Sequence, residues 1–119
     1  MNNELISKII DCCKKREFIL EHSQSMREYN KYYDKMCKYM RCLIDSKQEC
    51  DLLPYINDDS ISVRFDIAIL LYNSFSSICK KTLEEISELN INNGLPKHLV
   101  IVSVSAYNNL KYGIPADFP

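Results

Sequence analysis

The chain has 119 residues, 46% of them hydrophobic and 26% charged, with 15 basic and 16 acidic groups and a net charge of −1. That length suits one domain with its own core, and so even a balance argues against a nucleic-acid partner, which calls for a basic excess or a clustered stripe. Two glycines, four prolines and no tryptophan disfavour an all-β fold and leave no room for a glycine-rich phosphate loop. No apolar run reaches the ~20 residues of a membrane helix, so no membrane partner is expected.

In chain order, Asn3 can cap a first helix whose stripe is Leu5, Ile6, Ile9, Ile10 and Cys13, at helical spacing. Phe18, Ile19 and Leu20 resume it, so the helix either runs to about Glu21 or bends near Lys14-Lys15-Arg16. Glu17 and Glu21 neutralise most of that basic triplet, which reads as a solvated face rather than a phosphate site. Ser25 and Glu28 have the spacing of a capping box. A long helix follows to about Ser46, with Met26, Tyr29, Tyr33, Met36, Met40 and Leu43 on its main stripe.

Four tyrosines lie among cations in that helix. Stacking of single-stranded bases is one use of such a pattern, but the overall charge favours a core role for Tyr29 and Tyr33. Tyr32 and Tyr39, seven residues apart on a second face, are expected half-exposed and suited to a protein interface.

Ser46 to Pro54 reads as a short helix ended or bent by its proline. Asn57-Asp58-Asp59-Ser60 is a turn rich in cap formers. Ile61, Val63, Ile67, Ala68, Leu70 and Leu71 then share one broad helical face, and Arg64 is placed to reach back to Asp58 or Asp59. Tyr72 to Ser77 breaks the chain again. The next helix, to about Leu89, turns Ile78, Cys79, Thr82, Leu83 and Ile86 inward and Lys80, Lys81, Glu84, Glu85 and Glu88 outward. Lys80 with Glu84 and Lys81 with Glu85 form i,i+4 pairs in the weaker order.

Asn90 to Gly94 ends that helix, and Pro96 suits the first turn of another. Leu99 to Val104 is β-branched enough for a strand. The spacing of Leu99, Val102, Ala106, Tyr107 and Leu110 favours a helix, ended by Gly113. The tail from Ile114 carries Phe118, docked or free.

The search for chemistry finds little. Cys12, Cys13, Cys37, Cys42, Cys50 and Cys79 follow no zinc spacing, and no signal peptide precedes them, so they read as free thiols acting as small hydrophobes in a cytoplasmic protein. His22 and His98 stand in no paired motif. Asp58, Asp59 and Asp66 around Arg64 read as a turn tied by an ion pair rather than a metal or acid–base centre. No enzyme activity, cofactor or metal is expected.

One resemblance does emerge. The acidic turn followed by Val63-Arg64, then Ala68 and Leu71, resembles the core of a HEAT repeat. The pattern continues through Leu83, Ile86 and Leu89 and through Val102, Ala106 and Leu110. The chain is thus similar to small single-domain bacterial HEAT-like proteins of unassigned function, a kind of protein that also serves as immunity proteins of contact-dependent growth inhibition toxins. The resemblance implies helical hairpins stacked in the second half and a cognate protein toxin domain as partner, a basic nuclease among the candidates.

The expectation is therefore an all-α domain of antiparallel helical hairpins over residues 1–119, binding a protein. Residues 56–119 hold five basic and seven acidic groups, a bias suited to a basic partner. Asp58, Asp59, Asp66, Glu84, Glu85 and Glu88 would steer association, and Tyr32 and Tyr39 would anchor it. A regulatory or scaffold module, homo-oligomeric or not, is the alternative.

Overall fold

The computed structural model describes residues 3–23, 25–89 and 94–119, and among these it has six helices and no strand. They are α1 (Asn3–His22), α2 (Met26–Asp45), a 3₁₀ helix (Glu49–Asn57), α3 (Ile61–Leu70), α4 (Ser76–Glu88) and α5 (Lys97–Tyr112). The all-α expectation holds. Most of the 90–94 terminator lies outside the described residues.

α1 runs unbroken past Lys14-Lys15-Arg16 and pairs with α2. The pairing is antiparallel, since Lys8 meets Tyr39, Lys15 meets Tyr32 and Arg16 meets Tyr29. Ser25 caps α2, its Oγ accepting from the Glu28 amide at 3.4 Å. The reciprocal half of the expected box is replaced, because the Ser25 amide donates to Ser23 Oγ. At the other end of α2, Lys47 adopts a left-handed φ of 59°. The Gln48 and Lys47 amides then reach back to the Leu43 and Ile44 carbonyls, which closes the helix without a glycine.

The short helix expected over Ser46–Pro54 is instead a 3₁₀ segment that runs three residues past Pro54. Pro54 supplies no amide to either kind of repeat, and the chain continues past it in the tighter form to Asn57.

α3 is the axis of the molecule. It packs against α1, the 3₁₀ helix, α4 and α5, and every residue from Ser62 to Leu70 is buried except the half-buried Arg64. A helix covered on all sides cannot be amphipathic, and α3 carries apolar residues nearly all round. Its start is held from another element: Ser60 Oγ accepts from the Val63 amide at 3.2 Å and donates to Glu17 of α1 at 2.6 Å. On the far side, α5 docks on α4 through the buried Ser103, whose hydroxyl donates to the Ile86 and Ser87 carbonyls at 2.8 and 3.2 Å. These carbonyls lie in the last turn of α4, and the Ile86 carbonyl also accepts from the Leu89 amide.

The largest departure from expectation is at Arg16 and Asp66. Arg16, assigned to a solvated face, is 4% exposed, and Asp66, placed beside Arg64 at the surface, is 3% exposed. They pair with each other across 50 residues, Arg16 Nη1 to Asp66 Oδ1 at 2.5 Å. The guanidinium also stacks on Tyr29 and Tyr33, 3.8 and 4.8 Å from their ring centroids. Arg64 makes no ion pair with Asp58 or Asp59, and Asp58 Oδ2 accepts from the Ser60 amide instead. Helical spacing puts residue 16 on the buried stripe itself, seven residues after Ile9, three after Cys13 and four before Leu20. Its charge argued for solvent, and only the arrival of Asp66 and the α2 tyrosines makes that charge tolerable inside.

The pair generates two expectations. Arg16→Met strands a buried carboxylate, which costs about 3 kcal/mol or more, whereas Arg16→Met with Asp66→Leu removes both charges and restores most of it. Urea unfolding of the three proteins checks this, and a single variant within about 1 kcal/mol of wild type would contradict it.

The second expectation concerns pH. Burial pushes the Asp66 carboxyl up to about 6, with Arg16 and Cys13 acting in the other direction. An acid raised above its unfolded pKa gains a proton on folding. Its contribution is therefore fully present below about pH 4 and is lost as pH rises through about 6. Wild-type stability measured against Asp66→Asn should accordingly fall from about pH 4 to 7 and level off above. A flat difference across that window would refute the assignment.

Candidate protein interface

The sequence-predicted site residues fall on opposite sides of α3. Glu84, Glu85 and Glu88 are exposed on α4, the outward face its periodicity predicts. The expected pairs Lys80–Glu84 and Lys81–Glu85 do not close to ion-pair distance. The carboxylates are thus left to solvent, in line with the small energy of such pairs.

Glu84 and Glu88 border a groove of about 490 Å³ between α4 and α5, whose other wall includes Tyr72, Tyr107 and Lys111. Tyr107 is 54% exposed and the nearby Tyr112 76%. Tyr107, expected in the core stripe of the last helix, thus points outward. The hydroxyl-tipped rings carry Lys111 between them, its Nζ 6.0 and 5.4 Å from their centroids, which braces both against free rotation.

Glu85 faces a second groove, shared with Leu53, Pro54, Asn57, Ile78 and Lys81. Ile78 was expected inside. It is 46% exposed and forms the apolar floor of that groove. Asn57 lines this groove, and the following Asp58 and exposed Asp59 do not. Asp66 alone of the six carboxylates is removed from any surface role, because it is buried against Arg16.

Tyr32 and Tyr39 are half-buried, as their off-stripe spacing implied. They are not near the α4 carboxylates. They line the α1–α2 hairpin among lysines: Tyr32 has Lys15, Lys35 and Lys31 at 5.4, 5.2 and 6.0 Å from its ring, and Tyr39 has Lys8 at 5.6 Å. Beside them stands the exposed Phe18. The molecule therefore carries a tyrosine-bearing face on α4–α5, where Glu84, Glu85 and Glu88 stand among Lys80, Lys81 and Lys111, and a lysine-aromatic face on α1–α2.

The cysteines divide in the same way. Cys12, Cys13 and Cys79 are buried and Cys37 is half-buried, but Cys42 and Cys50 are exposed, contrary to a uniform buried role. Burial pushes the Cys79 thiol up to about 12 and the Cys13 thiol well above its ordinary value, the Asp66 carboxylate adding to the rise at Cys13. Both are thiols, not thiolates, near neutral pH and are unreactive there. His98, on α5, faces Glu21 of α1 at 3.7 Å.

The tail docks. Phe118 lies against Tyr33 with ring centroids 6.0 Å apart. Asn73 Nδ2 donates to the Pro115 and Phe118 carbonyls at 2.8 Å, and Arg41 to the Asp117 and Pro119 carbonyls.

Tyr107 and Tyr112 were missed as surface anchors because Tyr107 satisfies the helical stripe of α5. The residue carries no signal that separates an outward from an inward ring. Exposed rings contribute little to folding, so Tyr107→Ala and Tyr112→Ala should each change stability by less than about 0.5 kcal/mol. Tyr33→Ala, which uncovers Arg16 and Phe118, should cost about 2 kcal/mol or more. Thermal melts of the three variants measure the contrast, and equal losses would contradict the surface assignment.

Set against known proteins, the chain matches no family model, no curated protein and no solved structure.

Proposed function

We propose that this protein binds another protein stoichiometrically through its α4–α5 face, and that it acts as an immunity protein covering the active site of a cognate toxin domain. The single observation that carries the reading is the joining of exposed carboxylates, held in no ion pair among the described residues, and exposed tyrosines on one surface. Glu84 and Glu88 border the groove on whose opposite wall Tyr107 stands. Carboxylates without ion-pair partners project a field that attracts a basic surface and accelerates encounter. Tyrosines supply the contact area and hydroxyl that anchor such complexes once formed. The HEAT-like pattern of the second half supports the same reading, as does the mild acidic bias of residues 56–119. A basic nuclease domain is the partner chemistry that best suits this face.

A second reading rests on a separate observation. The α1–α2 face sets Lys15, Lys31 and Lys35 around Tyr32, and the α4–α5 face carries the carboxylates of Glu84, Glu85 and Glu88. A module with complementary, non-identical faces can associate head to tail with copies of itself.

One set of measurements separates the two. Reversing Glu84, Glu85 and Glu88 to Lys should slow association with a basic toxin domain roughly tenfold or more at low salt, with a smaller effect in high salt. The same protein should fail to rescue cells expressing that toxin. If rescue and association rate are unaffected, the α4 face is not the interface. Growth of apparent mass with concentration for the wild type, abolished by the reversal, would favour the scaffold reading.

A further inference from the structure

The segment after α5 is seated between α2 and the α3–α4 turn. Gly113, with a left-handed φ of 86°, turns the chain off the helix. Pro115 to Phe118 then form a turn, closed by the Phe118 amide donating to the Pro115 carbonyl at 3.1 Å. Asn73 bridges the two ends of that turn, its Nδ2 donating to the Pro115 and Phe118 carbonyls at 2.8 Å and to the Ala116 carbonyl at 3.4 Å. Arg41 of α2 donates to the Asp117 carbonyl at 3.2 Å and to that of Pro119. The Phe118 ring lies on Tyr33 with the two planes 23° apart.

These contacts read a main chain. Among the described residues, every side-chain hydrogen bond to the segment ends on a backbone carbonyl. Successive carbonyls are what a polypeptide offers, and the side chains of Pro115, Ala116 and Asp117 stay exposed. Selection is left to the ring on Tyr33 and to the half-buried Ile114. Backbone bonds that hold and a side-chain seat that selects are the parts of a peptide-recognition site. Little apolar area locks the segment down, and Asn73 and Arg41 are themselves exposed, so its release is a low-cost local opening. The tail of a second copy is a poor competitor for the seat. Five residues tether Phe118 to Gly113, which gives the chain's own tail an effective concentration in the millimolar range. A segment of another protein has one advantage over both. The wall of the pocket beside the seat includes Tyr33 and no residue of the tail, so a longer occupant gains contacts that the tail does not make.

We propose that this seat binds a ring-bearing turn of another protein and that the chain's own tail keeps it closed. The fraction of molecules with the tail released then sets the affinity seen from outside. The inference does not rest on the α4–α5 reading, because no toxin enters its test.

The test titrates the ¹⁵N-labelled full chain, followed by NMR, with the peptide Ile-Pro-Ala-Asp-Phe-Pro and with a control peptide in which Ala replaces Phe. Phe118→Ala empties the seat without altering its walls. This variant should bind the first peptide in the millimolar range or tighter, with saturable shifts at Tyr33, Asn73 and Arg41. The wild type should bind it roughly tenfold more weakly or worse. Phe118→Leu, a milder change that keeps apolar bulk and loses the ring stack, should fall between the two. The control peptide should not bind, and Asn73→Ala added to Phe118→Ala should weaken binding several-fold. Equal affinity of the wild type and both variants, equal affinity for the two peptides, or no saturable binding to either folded variant would overturn the proposal. So would a wild-type dimer at micromolar concentration that Phe118→Ala dissolves, since the occupant would then be a second copy.

Discussion

A single ion pair, Arg16 with Asp66, holds the two halves of this molecule in register. Each charge is expensive to bury alone, and each is tolerable only where the other stands. The pair therefore favours the placement of α3 on α1 that keeps Arg16 Nη1 and Asp66 Oδ1 at 2.5 Å. The tyrosines of α2 complete the arrangement, since their rings cover the guanidinium that α1 carries and α3 neutralises. Three elements are thereby fixed by one cation. The Glu17–Ser60 hydrogen bond, one residue along α1, adds a second tie at the start of α3.

With α3 consumed by packing on every side, the working surfaces belong to the outer helices. The α1–α2 hairpin and the α4–α5 hairpin flank it, one studded with lysines around tyrosine rings and the other carrying glutamates and lysines side by side. A pocket lined in part by Arg16, Tyr29 and Tyr33 opens to the surface where α1, α2, α3 and α5 meet.

Periodicity was enough to read the helices. The stripes of α1, α2 and α4, the Ser25 and Ser60 caps and the outward row Glu84, Glu85 and Glu88 all follow from spacing alone. So does the preference for a helix over a strand at Leu99–Val104, because the 3.6-residue repeat there outweighs β-branching. Where spacing misled, the cause was local. The segment around Pro54 took the 3₁₀ form and ran on to Asn57 instead of ending at the proline. Ile78 and Tyr107 sit correctly on their stripes, but no neighbouring helix covers that end of them.

What the linear chain determined by itself is its helical content, its element order and most of its core positions, because these depend on side chains a few residues apart. What the tertiary structure alone decided is which charges are spent inside and which are free to act. Asp66 is two residues from Arg64 in sequence and bonded to Arg16, fifty residues away. Coulomb attraction and burial act through space, and their outcome for a carboxylate depends on which helix is laid over it.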